Sequence, residues 1–133
     1  MREILMSVGK TATATTTVKD TNTAKAVGSG NLDVFSTPMM VALMEQAACE
    51  CLADILEPGQ SSVGTQISVM HTAASPLGAI ITATATIEQL DGRKVEFSIS
   101  AKDNNGEIGN GKHARAIINA KKFMDNTNSK LTH

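Results

Sequence analysis

Three side chains of the 133-residue sequence are of the types from which acyl-transfer sites are built. They are the hydroxyl of Thr37, the carboxylate of Glu45 eight residues on, and the imidazole of His71 twenty-six residues further. Glu45 lies inside one of the most apolar stretches of the chain, Pro38 to Leu56. A carboxylate is costly to bury without a partner, so it needs either a path to solvent or a reason to stay. Desolvated among Met and Leu, it would be a stronger base, able to take a proton from water or a hydroxyl, or to attack a carbonyl itself. Each residue also has a plain structural reading. Thr37 could cap a helix, Glu45 could face solvent, and His71 could be an ordinary strand histidine.

The elements that must position these groups are legible in outline. Thr11 to Lys19 alternates small and β-branched residues and reads as a strand. A polar loop from Asp20 to Asp33 leads into Ser36-Thr37-Pro38, a hydroxyl N-cap followed by proline at a helix start. The helix is expected to run to about Leu56, where Glu57-Pro58-Gly59 stops it. Its residues are apolar on most sides, so the remainder of the chain is expected to wrap it. Strand patterns follow at Ser62–Ala74, Ala79–Leu90, Lys94–Lys102 and Glu107 to about Phe123, with hairpin signals at Asp91-Gly92 and Asp103–Gly106. Gly109 and Gly111 mark a bulge or a close backbone approach in the last strand. Hairpins between consecutive strands imply antiparallel pairing, hence an α+β domain with an antiparallel sheet curled round one long central helix. The domain is read as residues 1–124, followed by a polar, frayed tail at 125–133. A single sheet leaves an exposed edge, so a homodimer is expected.

Composition narrows the function. The net charge is -1, and aromatic residues are 2 % of the chain with no Trp or Tyr. Neither a basic field nor stacking platforms are available, so nucleic acid is not expected as a partner. No run of about twenty apolar residues exists, so no membrane span is expected, and Met1 to Lys10 is too short and interrupted for a signal peptide. A cytoplasmic protein is the expectation. Cys49 and Cys51 are one residue apart with no further ligand nearby, and both read as core packing, with no metal site. Lys102, Lys112, Lys121 and Lys122 read as solvated edge residues. Gly109-Asn-Gly-Lys112 lacks the spacing of a phosphate loop.

Phe35-Ser-Thr-Pro38, Met44-Glu45, Val63-Gly-Thr65, His71 and Gly111-Lys-His-Ala-Arg115, in this order and at these separations, resemble the hotdog-fold acyl-CoA thioesterases, and within them the fluoroacetyl-CoA thioesterase-like family. The resemblance runs from about Val34 to Phe123. It implies a hotdog fold, thioester hydrolysis of a short acyl-CoA, and a catalytic set of Thr37, Glu45 and His71. Gly64 and Arg115 would line the substrate pocket, and the site would lie near the interface of a homodimer. It implies no metal or organic cofactor, coenzyme A being part of the substrate. A hydratase or ammonia lyase acting on an acyl-CoA, and a non-catalytic acyl-CoA binder, remain as alternatives on the same fold. His113 shares a strand face with Arg115 by period two, with its role open.

Overall fold

A computed structural model describes residues 7–131. The expectation for the first ten residues falls largely on 1–6, outside the described residues. The elements are β1 (Thr11–Thr17), α1 (Ala24–Val27), α2 (Thr37–Leu52), β2 (Gln60–His71), β3 (Ile80–Asp91), β4 (Lys94–Asp103), β5 (Gly106–Asn119), α3 (Ala120–Asn128) and a short 3₁₀ turn, Ser129–Leu131. The five strands form one sheet in the order β1-β3-β4-β5-β2, every pair antiparallel.

The period-two pattern of Ile81-Thr-Ala-Thr-Ala-Thr-Ile87 sets the layering. Ile81, Ala83, Ala85 and Ile87 point inward and are fully buried. The threonines point outward, where Thr82, Thr84 and Thr86 lie opposite Thr15, Thr13 and Thr11. Alanines in the middle of the inner face let α2 lie close to the sheet, and α2 packs chiefly over β1 and β3. Its Met40, Met44, Ala47, Ala48, Cys51 and Leu52 form one core with Val95, Phe97, Ile99 and Ala101 of β4. The opposite flank carries Ala42, Gln46, Cys49 and Glu50 in the open. The helix is therefore covered on one side, not wrapped all round, and of the two cysteines only Cys51 is core.

Helix α2 ends at Leu52 rather than Leu56, because Ala53 and Ile55 bond three residues back, to Glu50 and Leu52. The last strand ends at Asn119, not Phe123. Asn119 accepts from the Lys122 N–H and caps α3, so part of the expected tail is helical and the boundary at residue 124 falls inside that helix. The β3–β4 hairpin turns on Gly92-Arg93, with the positive φ of 62° on the glycine that the first position of such a turn favours. Strands β1 and β2 are the free edges, and β2 is twelve residues long. Among the described residues, no helix is long and apolar enough to cross a membrane.

Gly109 and Gly111 serve close approach. A Cβ on Gly109 would stand 2.7 Å from Met40 Sδ and 2.8 Å from the Met70 carbonyl oxygen. A Cβ on Gly111 would overlap the Ser68 carbonyl oxygen, part of the β2 backbone. Backbone cannot rotate away as a side chain can, so Gly111→Ala must spread β2 from β5. The expected cost is about 3 kcal/mol, the upper end of overpacking effects, against about 1 kcal/mol for Gly92→Ala at the turn. Urea denaturation of the two variants would check the order, and equal costs would contradict it.

Candidate active site

The start of α2 divides two tasks between neighbouring hydroxyls. Ser36 is the N-cap, its Oγ accepting from the Met39 N–H at 3.2 Å. Thr37 is thus spared the capping role, and its Oγ1 lies 2.7 Å from His71 Nδ1 at the end of β2. Burial pushes the His71 pKa down, opposed by the Ala73 backbone. The ring is thereby favoured as the neutral imidazole, able to hold the threonine hydroxyl. His71 Nε2 is buried without a hydrogen-bond partner. Such a group costs about 1–3 kcal/mol, and its retention calls for an explanation. The pair borders a cavity of about 290 Å³ lined also by Val34, Phe35, Ser36 and Ala73.

A second cluster forms on the inner face of β5. Arg115 is 6 % exposed, and four groups meet its guanidinium. Nε donates to Ser62 Oγ at 2.9 Å and Nη2 to the Ser62 carbonyl at 3.1 Å. Nη1 donates to Glu45 Oε2 at 3.3 Å and lies 3.2 Å from His113 Nε2. His113 Nδ1 lies 2.8 Å from the Gln66 carbonyl, which can only accept, so Nδ1 carries the proton. Burial first, and the Arg115 charge besides, push the His113 pKa down, against the Gln66 carbonyl and Glu45, which raise it. Neutral and protonated at Nδ1, the ring presents the Nε2 lone pair to Arg115. Gly64 pairs with Arg115 across the strands, and a Cβ there would stand 2.6 Å from Glu45 Oε2. The missing side chain is the space in which the carboxylate sits. Glu45, Gly64, Thr65, Gln66, Ile67 and His113 line a cavity of about 270 Å³.

The structure thus joins Thr37 with His71, and Glu45 with Gly64 and Arg115, but it does not join the two groups within one chain. Eight residues of helix separate Thr37 from Glu45 by about 12 Å along the axis. The expectation that Glu45 is buried among Met and Leu is corrected. Met40 and Met44 point to the sheet, whereas the Glu45 side chain lies on the flank of α2 and keeps 39 % of its surface exposed. Its charge is met by Arg115 rather than stranded. His113 and Ser62 are the neighbours of Arg115 that the sequence reading left unassigned. The only signal for His113 was its place two residues before Arg115. Cys51 is buried, and burial raises its pKa, which suits packing rather than reaction. Among the described residues, no three His, Cys, Asp or Glu side chains gather to hold a metal.

The two lowered histidines make stability depend on pH. As pH falls through the ordinary histidine value of about 6.5, the unfolded chain takes up protons before the folded one does. Stability therefore rises with pH across this window and falls on acidification. Asp54 and Asp103, held low by hydrogen bonds from Lys10 and Ser75, lose their contribution only below the ordinary aspartate value of about 3.9. Melting at pH 5.5 is expected a few degrees below that at pH 7.5, with a flatter dependence in His113→Gln. A melting temperature that does not change over this range would contradict the assignment of neutral rings.

Comparison with known proteins places this geometry. The sequence profile of the fluoroacetyl-CoA-specific thioesterase family matches residues 18–121. A fluoroacetyl-CoA thioesterase of Streptantibioticus cattleyicolor is 47 % identical over 91 residues, which are 68 % of this chain and 66 % of that relative, just under two thirds of its length. A variant fluoroacetyl-CoA-specific thioesterase crystallised with fluoroacetate and CoA superposes with a TM-score of 0.82 at 39 % identity, covering 87 % of this chain and 98 % of that one. A hot-dog-like protein from Thermanaerovibrio acidaminovorans gives 0.85 at 26 % identity, over 93 % of this chain and 92 % of the other. With the five-stranded antiparallel sheet and its helix, these likenesses show that the chain belongs to the fluoroacetyl-CoA-specific thioesterase family of hotdog-fold acyl-CoA thioester hydrolases.

Proposed function

We propose that the protein hydrolyses a short-chain acyl-CoA as a homodimer, with Thr37 and His71 of one subunit acting together with Glu45 of the other. The observation that carries this reading is the division of the three residues between two clusters along the free edge strand β2. His71 ends β2, while Gly64, seven residues earlier, abuts Glu45. Pairing β2 antiparallel with its own copy about a two-fold axis would run the two strands in opposite directions. The Gly64 end of one subunit then approaches the His71 end of the other. Unpaired edge groups favour such pairing, and Met70, 66 % exposed at that end, would gain cover.

The chemistry follows from the groups so assembled. At the helix start, Ser36 already accepts from Met39 through its side chain and from Met40 through its carbonyl, and Pro38 has no N–H. The Thr37 N–H is left at the positive end of α2 for a developing oxyanion. The Thr37 hydroxyl, held by neutral His71, adds a second donor or orients the thioester. Glu45 takes the proton from the attacking water, Arg115 fixes its direction, and the CoA thiolate leaves. The reaction uses no metal or organic cofactor. The cytoplasm, where acyl-CoA is available, is the proposed location.

A panel of acyl-CoAs with a thiol reagent tests the reaction. Fluoroacetyl-CoA, named for the relatives, belongs in it beside acetyl-, propionyl- and butyryl-CoA. Release of CoA thiol is expected for at least one short ester, and none from any would falsify the reading. A mass change without thiol would indicate a hydratase or lyase, and thermal stabilisation without turnover a binder. Glu45→Ala should lower kcat about 100-fold or more, as loss of a proton-transfer group does. Gly64→Ala, which pushes the carboxylate aside, should cost about 10-fold with little change in melting temperature. Sedimentation should give twice the chain mass, and a monomer at all concentrations would remove the shared site.

A further inference from the structure

We propose that His113 is a positioning residue for this reaction: anchored through Nδ1 to the Gln66 carbonyl, it offers Nε2 to Arg115 and thereby aims the guanidinium at Glu45. The inference rests on the reading that Glu45 generates the nucleophile, and it extends the working set to a histidine outside the reacting groups.

The geometry assigns His113 an indirect part. Its Nε2 lies 3.9 Å from Glu45 Oε2, beyond hydrogen-bond distance, but 3.2 Å from Arg115 Nη1. Of the four partners of Arg115, both Ser62 contacts hold the Nε and Nη2 side of the fork. The remaining group, Nη1, has two hydrogens and two acceptors, Glu45 and His113. The guanidinium is planar, so the Ser62 contacts set its plane, and Glu45, a half-exposed carboxylate on a rotatable stem, takes one of the two Nη1 hydrogens. His113 takes the other and holds that edge of the group. It is 3 % exposed, bonded to the β2 backbone, and stacked on Phe97 with ring centroids 5.9 Å apart and planes 26° from parallel. A buried ring held at two places, by the Gln66 carbonyl and by Phe97, fixes the acceptor, which engages one Nη1 hydrogen and leaves the other directed at Glu45. An imidazolium in the same place would set a second cation 3.2 Å from Nη1, so only the neutral ring suits the arrangement.

Two substitutions separate this role from packing. His113→Gln keeps an acceptor near the position of Nε2, whereas His113→Asn keeps a donor toward the Gln66 carbonyl and removes the acceptor. With an acyl-CoA that the wild-type chain hydrolyses, His113→Asn is expected to lose kcat about 10- to 100-fold with KM changed less than about 2-fold, and His113→Gln to recover most of it. Equal losses in both variants, full activity in His113→Asn, or a loss in His113→Asn that tracks a fall in its melting temperature, which the smaller side chain alone would produce, would overturn the proposal. Should the variants not fold, ¹⁵N spectra of the wild-type histidine rings at pH 7 decide. A neutral His113 protonated at Nδ1 is expected, and the Nε2–H form or the imidazolium would overturn the proposal. Wild-type protein that cleaves no acyl-CoA would count instead against the thioesterase reading, and the ring spectra would still judge the His113–Arg115 contact.

Discussion

A guanidinium cannot be deprotonated to escape burial, so the chain around Arg115 has to be built for its charge. Arg115 is buried on the inner face of β5, on the side that faces α2. Ser62 and its carbonyl come from β2, His113 from β5 itself, and Glu45 from α2. The contacts tie three elements together at a place where the helix makes few others with β2 and β5. They also explain why a half-exposed glutamate has a fixed address. Breaking such a pair from one side leaves an uncompensated charge, which costs more than the pair contributes. The arrangement therefore constrains Glu45 whether or not catalysis is considered.

The small residues of β2 and β5 belong to the same constraint. Gly64 makes room for the carboxylate, and Gly109 and Gly111 bring β5 close under Met40 and beside Ser68. Glycines inside a strand weaken it, and three of them on two paired strands would be unfavourable without such contacts. Here they allow a helix, two strands and a charged cluster to share a narrow space. The β-bulge between Gly64 and Gln66 adds to this by shifting the register where β2 passes Arg115.

Much of this was readable beforehand, and the parts that were not share one cause. The helix start, the Gly92 hairpin and the alternation of β3 depend on local chemistry, and local residues announced them. Resemblance in ordered blocks indicated the family and singled out Thr37, Glu45 and His71. The exposure of Glu45 was not legible. Apolar residues surround it in sequence, but which of them face the sheet depends on how α2 rotates over β1 and β3. His113 was visible as a face-mate of Arg115, yet its contact with Gln66 depends on the β2–β5 register, which no single segment encodes. The α3 start could have been read, because Asn119 three residues before Lys122 is an ordinary capping position, but the apolar Ile117-Ile118 run suggested a longer strand.

The division of the two clusters has a consequence for how the fold carries activity. Had Thr37, His71 and Glu45 met in one chain, a monomer would be a complete catalyst, and the long edge β2 would be only a liability. With the groups about two helical turns apart, pairing of that edge, as proposed, would be the means of bringing them together. His71 contributes a neutral ring at the end of that edge, holding the Thr37 hydroxyl. Glu45 contributes a carboxylate fixed in direction by Arg115 and partly open to solvent. In the proposed dimer, edge-to-edge pairing of identical strands would bring one group toward the other, and by symmetry would do so twice.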